Sequence, residues 1–378
     1  MTDAYVVDFL RSPFTPSYKG GLAGTRPDTL VAEVIRQLVA RTGVDPSAIE
    51  DVILGCAFPE GEQGLNIGRC AALLAGLPQT VAGATINRWC GSSMQAVHMA
   101  AGAVATQAGE MFIAGGVESM TRVPMMGFNP MPNPTWSDAT RIAFLNMGLT
   151  AENLAVRYGI TRRAQDEYAA MSQANAAAAQ AQGRLNGEIA PIRTEAGVVS
   201  ADGCIRGATT VEKLGDLKTV FKADGTVTAG NASPLTDGAS AVLVCSEAAL
   251  KRHNLKPRAR IASFAVSGCA PEIMGIGPVE ATRKALRRAG ISAAQVDVIE
   301  MNEAFAVQVL ACCKDLDVDP KRLNKDGGAI AIGHPLGATG ARLVGKAADL
   351  LKRDGGHWGL ATQCIGGGMG IAMVLEAL

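Results

Sequence analysis

Aromatic residues are scarce in this 378-residue chain, at 4%, which removes the stacking platforms used to bind single-stranded nucleic acid. Net charge is missing as well. Thirty-five lysines and arginines balance thirty-five aspartates and glutamates, so no electropositive field exists to gather phosphate backbones. Nucleic acid is therefore not an expected partner. Hydrophobic residues reach 48%, yet charged residues interrupt every apolar stretch before it attains the roughly 18 residues of a membrane span, so no membrane span is expected. The opening Met1-Thr-Asp-Ala-Tyr-Val-Val-Asp8 puts acid where an export signal has base. The closing Glu376-Ala377-Leu378 matches no peroxisomal or lipidation signal. A cytoplasmic location is the expectation.

Metal-ligand spacing is lacking too. The nine cysteines include no Cys-x-x-Cys, Cys312 and Cys313 are adjacent, and no His-x-x-x-His occurs, so a zinc site is not expected. An odd cysteine count without framework spacing indicates free thiols in a reducing compartment. Neither Gly115-Gly116 nor the late glycine run forms a dinucleotide fingerprint between a strand and a helix. No metal and no tightly bound cofactor are anticipated. What the chain does have is glycine, 44 in all, clustered rather than repeated with period three. That pattern excludes collagen and suggests tight turns and close backbone approaches around a site.

The first third alternates strand-like and helix-like patterns. Ala4 to Leu10, Asp51 to Phe58, Val81 to Ile86 and Met111 to Gly115 read as strands; Pro27 to Thr42, Asn66 to Ala75 and Ser92 to Ala108 read as helices. Such an order predicts a sheet covered by helices. Residues 121 to 237 are turn-rich, with one long helix expected from Arg162 to Gln182, and read as an insertion closing over one face. Ala239 to Cys245 resumes the strand pattern, followed by a helix to His253. The last third echoes the first. Ala48-Ile-Glu-Asp-Val-Ile53 corresponds to Ala294-Gln-Val-Asp-Val-Ile299, and Ala108–Ala114 to Asp354–Leu360, both 246 positions on. A constant offset supports duplication with an insertion in the first copy, although generic strand–helix units resemble one another by chance.

Four segments carry residues capable of chemistry. Asn87-Arg-Trp-Cys-Gly-Ser-Ser-Met94 places Cys90 between a strand and a small-residue helix, where the positive helix end favours thiolate. Alone, that segment suits a packing cysteine at a buried helix start equally well. Gly327-Gly-Ala-Ile-Ala-Ile-Gly-His-Pro-Leu-Gly-Ala-Thr-Gly340 sets His334 among glycines ahead of a helix, a good place for a base. His98, His253 and His357 are expected to be non-catalytic. In Ala361-Thr-Gln-Cys-Ile-Gly-Gly-Gly-Met-Gly370, Cys364 closes a strand and enters a glycine run able to offer backbone donors to an oxyanion. In Glu300-Met-Asn-Glu-Ala-Phe305, Asn302 and Glu303 stand at a strand end, where capping and catalysis look alike.

These stretches, with Gly115-Gly-Val-Glu-Ser-Met120, Asn146-Met-Gly-Leu-Thr-Ala-Glu-Asn153 and Thr228-Ala-Gly-Asn-Ala-Ser233, resemble the thiolase family of acetyl-CoA acyl- and acetyltransferases over essentially the whole chain. The resemblance implies an α/β fold: two duplicated mixed five-stranded sheets with helices in layers (αβαβα), plus an inserted loop domain. Residues 1–120 and 238–257 would form the N-terminal half, 121–237 the loop domain and 258–378 the C-terminal half. It implies Cys90 as nucleophile, His334 as its base and Cys364 as a second acid/base. Asn302 would hold a water in one oxyanion hole with His334, and the N–H groups of Cys90 and Gly366 would make another. Ser233, Ala229, Ala304 and Phe305 match positions lining a pantetheine channel, Arg206 a nucleotide contact and Met147 part of the acyl pocket. Coenzyme A enters as substrate. The partners so implied are CoA thioesters and further copies of the chain, as a homodimer or homotetramer, with enzymes supplying upstream β-oxidation steps.

Asn146 stands where acetoacetyl-CoA-specific members usually have His, and Lys213 where some relatives have a small CoA-contacting residue. The loop Pro124 to Pro134 resembles the fatty-acid-degrading branch, with Met125, Met126, Phe128 and Met131 expected to shape an apolar pocket. Rival readings are a ketoacyl synthase, which lacks the final Cys-x-Gly-Gly, a Cys–His hydrolase, and a catalytically silent CoA- or lipid-binding protein on the same scaffold.

Overall fold

The structure is a computed structural model and describes residues 2–378. Strand β1 (Ala4–Arg11) is buried along nearly its whole length, as its largely apolar sequence, broken only by Asp8, suits a strand covered on both faces. After the short β2 (Thr15–Pro16), helix α1 (Pro27–Thr42) starts on a proline and stops at Gly43, which adopts the left-handed conformation. There follow β3 (Asp51–Gly55), α2 (Ile67–Leu74), β4 (Ala82–Ile86), α3 (Ser92–Ala105) and β5 (Met111–Ser119). Residues 120–235 hold the short α4 (Asp138–Arg141), α5 (Met147–Tyr158), α6 (Arg162–Ala181), the hairpin β6 (Ile192–Thr194) and β7 (Gly197–Val199), and α7 (Val211–Gly215). Then come β8 (Thr236–Ser246) and α8 (Glu247–Arg252). The last third comprises β9 (Ala259–Gly268), α9 (Gly277–Ala289), β10 (Val298–Met301), α10 (Ala306–Leu316), α11 (Ala329–Ile332), α12 (Leu336–Asp354), β11 (Trp358–Ile365) and β12 (Met369–Glu376).

Two strand boundaries differ from the sequence expectation for a local reason. β3 stops at Gly55 rather than Phe58 because the N–H groups of Ala57 and Phe58 turn to the Glu118 carboxylate. β5 runs past Gly115 to Ser119 because it stays paired with β8 as far as Asp237.

The duplication is visible in register. Gly55 of β3 lies opposite Gly116 of β5 in a parallel pair, and Met301 of β10 lies opposite Thr362 of β11 in another. Both partners have moved by the same 246 positions. In the second half, β11 passes to β12 through the three glycines 366–368, whereas β5 and β8 of the first half are joined by residues 120–235.

The layered α/β architecture implied by the resemblance is present, with a difference in the sheets. The second half has four regular strands, and its fifth place is reduced to a single bridge between Ile299 and Leu323. The halves are also not separate. Tyr5 and Val6 of β1 pair with Arg260 and Ala259 of β9, joining everything into one ten-stranded sheet of order β10-β11-β12-β9-β1-β8-β5-β3-β4, with β2 on β8. Among the described residues, no helix is long and apolar enough to cross a membrane.

Helices α3 and α12 pack against each other and against strands of both halves, so each is covered on almost every side. Close approach explains their small residues: a Cβ on Gly340 would lie 2.5 Å from the Met94 nitrogen, and Ala341 N–H donates to Ser93 Oγ at 2.9 Å. The apolar layer around them includes Met94, Val97, Ala101, Val344, Ala347 and Met373.

Two cations in α12, Arg342 and Lys346, one turn apart, are nonetheless buried. Arg342 pairs with Glu300 of β10 at 2.9 Å. Lys346 contacts Glu188 at 3.0 Å and Asp326 at 2.8 Å. Glu188 and Asp202, from the segment between β5 and β8, hold the guanidinium of Arg11 at the end of β1, Asp202 in a bidentate pair of 2.7 and 2.8 Å. Burial alone would raise the Glu188 carboxyl, but Lys346, Arg11 and Arg342 outweigh it and hold it down at about 2. This network ties the insertion to both halves.

Lys346→Met deletes the cation and leaves Glu188 and Asp326 facing each other in the interior. Such a loss costs about 3 kcal/mol or more, read as a lower urea midpoint at unchanged slope; a loss under about 1 kcal/mol would show that the network does not support the fold.

Candidate active site

The nucleophile segment is held by its own polar side chains. Asn87 donates through Nδ2 to the Ala57 carbonyl at 3.0 Å and accepts the Trp89 N–H at 2.9 Å. Ser92 Oγ accepts from Arg88 N–H at 2.8 Å and donates to the Trp89 carbonyl at 2.6 Å. Trp89 is thereby kept at a φ of 42°, a left-handed conformation that a bulky residue adopts only when its surroundings impose it. The resulting turn presents half-buried Cys90 two residues ahead of α3. His334 stands two residues ahead of α12, so corresponding helices of the two halves carry the thiol and the imidazole.

The helix terminus was expected to favour thiolate at Cys90; the structure corrects this. Burial pushes the thiol up to about 11; the Gly366 N–H opposes that, Glu118 adds to it, and the N–H of Cys90 itself opposes it again. Desolvation of the anion exceeds what two amides return. The resting group is a neutral thiol, its sulfur tempered but not ionised by the N–H groups of Gly366 and of Cys90 itself.

His334 is buried, and burial lowers it to about 4. Its Nδ1 lies 2.6 Å from Thr339 Oγ1, which donates onward to the Pro335 carbonyl at 3.0 Å. Its Nε2 lies 3.3 Å from Asn302 Nδ2. Because the Thr339 hydroxyl proton is committed to Pro335 and the Asn302 nitrogen is a donor, the consistent assignment places the proton on Nδ1 and leaves Nε2 as the basic lone pair. Thr339 is a part of the site that sequence reasoning overlooked, although it sits in the same glycine-rich segment. Asn302 Oδ1 is buried with no partner among the described residues, and the backbone N–H of Asn302 is fixed to the Thr362 carbonyl at 2.9 Å. Glu303 next to it points away, accepting from Tyr168, Ser172, Asn324 and the Ile330 N–H; it anchors the segment leading to His334.

Cys364 is buried in a cluster with Ala304 and Phe305, against which Met147 packs. Burial, then the neighbouring Cys90, pushes its thiol well above the usual range. Met147 also borders Gly366: a Cβ there would come within 3.4 Å of its sulfur and 3.2 Å of the Trp89 ring. Ser233 donates through its N–H and its hydroxyl to the Ala304 carbonyl at 3.0 and 3.2 Å. The structure thus brings Cys90, Gly366, Met147, Cys364, Ala304, Phe305 and Ser233 into one neighbourhood beside His334 and Asn302. Arg206 and Ala229 lie farther out, lining a cleft with Gln173, Cys204, Pro234 and Ile330. Lys213 borders a neighbouring cleft that also includes Arg206. No group of His, Cys, Asp or Glu placed to hold a metal ion occurs among the described residues.

The methionine loop departs from expectation. Met125, Met126, Phe128 and Met131 are exposed, Met131 by 82%, and so do not enclose a pocket. The aromatic residues of the insertion that approach the nucleophile turn are Phe144, edge-on to Trp89 at 6.0 Å, and Trp136, stacked on Phe144 at 4.8 Å. Of the other histidines, His98 is buried and stacked on Phe264, while His357 is exposed.

Comparison with known proteins agrees with this geometry. Residues 4–248 match the model of the thiolase N-terminal domain and residues 255–377 that of the thiolase C-terminal domain. Over the full length of both chains the sequence is 45% identical to a 3-ketoacyl-CoA thiolase of Colwellia psychrerythraea and 43% identical to one of Bacillus subtilis. It is also 45% identical, again over both full lengths, to a beta-ketoadipyl-CoA thiolase of Acinetobacter baylyi.

With Cys90 at about 11 and His334 at about 4, alkylation of Cys90 by iodoacetamide rises steadily from pH 7 toward 11 and shows no inflection near 6.5. The imidazole, lowered by burial, remains unprotonated down to about pH 4. A plateau of thiolate reactivity between pH 5 and 8, as for a Cys–His ion pair, would contradict the neutral-pair description.

Proposed function

The chain belongs to the thiolase family and is an acyltransferase, and we propose that it cleaves 3-ketoacyl-CoA with CoA, reversibly, through an acyl group carried on Cys90. The observation that carries this reading is the second thiol. A Cys–His hydrolase has no use for a buried, protonated Cys364 beside its nucleophile, whereas cleavage of a carbon–carbon bond next to a thioester requires a proton donor for the departing enolate.

In the proposed sequence, His334 Nε2 removes the Cys90 proton as sulfur attacks the 3-keto carbon, so the thiolate is generated only when an electrophile is present. The C2–C3 bond then breaks, and the acetyl-CoA enolate takes its proton from Cys364, whose burial keeps that proton in place until a stronger base appears. CoA enters next, gives its thiol proton to Cys364, and attacks the acyl-cysteine; the Cys90 S–C bond breaks, the sulfur recovers its proton from His334, and the shortened acyl-CoA leaves. Condensation runs the same steps backwards. Two oxyanions form in turn, and two donor sets are at hand. His334 and a water on the unpartnered Asn302 Oδ1 would serve one. The Cys90 and Gly366 amides would serve the other.

Ser233, Ala229, Ala304 and Phe305 are assigned to the pantetheine path, Arg206 to the nucleotide end and Met147 to the acyl pocket. The outward cleft from Pro234 to Arg206 supports that direction. Coenzyme A acts as substrate and no tightly bound cofactor is invoked. The substrate range extends beyond acetoacetyl-CoA to longer 3-ketoacyl chains. Asn146, where acetoacetyl-specific members usually have His, spends its side chain as the cap of α5, accepting Gly148 N–H at 2.9 Å, and the relatives are named 3-ketoacyl-CoA or beta-ketoadipyl-CoA thiolases. A homodimer or homotetramer is part of the proposal, because β4 is a half-exposed edge strand without a charged residue. A cytoplasmic role in fatty-acid β-oxidation, with upstream enzymes supplying the 3-keto substrate, completes it.

Thiolysis kinetics test the reading. Wild type cleaves C10–C16 3-ketoacyl-CoA as well as the C4 substrate, and C90S and C364A each lose at least about 10³-fold in kcat. Activity on C4 alone would replace the proposal with an acetoacetyl-CoA-restricted enzyme; inactivity of wild type at every chain length would favour a silent CoA- or lipid-binding protein.

A further inference from the structure

Glu118, at the end of β5, is only 1% exposed and has no role in the steps above. The 246-position offset equates it with Cys364, and equates Cys56 with Asn302. Each half therefore ends its parallel strand pair on two polar residues at matching places. In the second half these are Asn302 and Cys364. In the first half they are Cys56 and Glu118, 3.7 Å apart.

The carboxylate accepts from four nitrogens at once. Oε2 takes the N–H of Ala57 and that of Gly337, both at 2.8 Å. Oε1 takes Gln63 Nε2 at 2.8 Å and the Phe58 N–H at 3.3 Å. Gly337 belongs to the first turn of α12, three residues after His334. The Ala57 carbonyl receives Asn87 Nδ2 at 3.0 Å, and Asn87 Oδ1 receives the Trp89 N–H at 2.9 Å. A continuous run of hydrogen bonds thus leads from the base-bearing helix start, through Glu118 and Ala57, to the residue preceding the nucleophile.

We propose that Glu118 is a positioning residue that sets the placement of Cys90 relative to His334 by clamping the start of α12 and the Ala57–Phe58 turn on one carboxylate. The inference rests on the acyl-transfer reading of Cys90 and His334. The chemistry demands a carboxylate, because four donors need two acceptor oxygens. Glutamine offers one oxygen and turns an NH₂ toward two of the same donors, leaving buried N–H groups unpaired.

The test compares wild type, E118Q, E118D and Q63A in thiolysis, in iodoacetamide alkylation of Cys90 across pH, and in thermal melting. E118Q loses about 100-fold in kcat, the penalty of roughly 1 Å misplacement, while KM changes less than about three-fold. Its Cys90 alkylation profile moves to lower pH, because the carboxylate charge near the sulfur is gone. Q63A loosens the same turn but keeps the charge, and its profile stays with wild type. E118D, which keeps the charge and shortens the reach, loses kcat without moving the profile, and stands in should E118Q fail to fold. Wild-type kcat in E118Q or E118D, a loss confined to KM, or equal profile shifts in E118Q and Q63A would overturn the assignment. An inactive wild type would instead defeat the acyl-transfer reading; the alkylation profiles would still decide whether Glu118 governs the environment of Cys90.

Discussion

Everything in this molecule depends on the close packing of α3 against α12. Each packs against strands of both halves, and the two approach closely because glycine, alanine and serine occupy their shared face. That packing brings two helix starts together, one led by Cys90 and the other by His334. The strand ends bearing Asn302 and Cys364 complete the arrangement from the second half. Duplication has thus placed unlike groups at matching positions around one site, and the proposed catalysis rests on that difference.

The electrostatics follow from the same burial. The half-buried Cys90 thiol and the buried His334 imidazole exist as neutral partners, because desolvation acts against thiolate and imidazolium alike. A free thiolate at this site would react with any passing electrophile. In the proposed sequence the neutral Cys90 thiol becomes nucleophilic only as its proton leaves for His334, with the substrate carbonyl in place and backbone amides awaiting the developing charge. The same proposal gives the burial of Cys364 the opposite usefulness, in a thiol that keeps its proton until an enolate forms beside it. The ion network of Arg11, Glu188, Asp202, Asp326 and Lys346 serves the scaffold, holding the insertion to both halves.

Much of the fold could be read from the chain. Proline at its start and glycine after its end mark α1, and the 246-position echo of Ala48–Ile53 in Ala294–Ile299 became matching strand registers. Cys90, His334, Asn302 and Cys364 stood out as polar residues in small-residue surroundings. Residues acting through other residues stayed hidden. Thr339 fixes the His334 tautomer from one turn along α12, and Glu118 reaches two separate segments through backbone amides and Gln63 through its side chain; neither relation has a sequence period. The thiolate expected from the helix start failed because sequence shows proximity to a dipole but not the extent of desolvation. The methionines of residues 125–131 misled for a related reason: apolar character does not say whether a loop folds inward, and here they face outward while Phe144 and Trp136 approach the site.

The central claim is a division of labour between two thiols, with covalent acyl transfer on one and proton transfer on the other. Incubation with acetyl-CoA labelled in the acetyl group, followed by acid quench and peptide mass mapping, examines it most directly when wild type and C364A are run side by side. The account predicts acetyl on the Cys90 peptide in wild type, and on the same peptide but more slowly in C364A, because Cys364 protonates the departing CoA and never carries the acyl group. Label on Cys364, or no label on Cys90 in wild type, would contradict it.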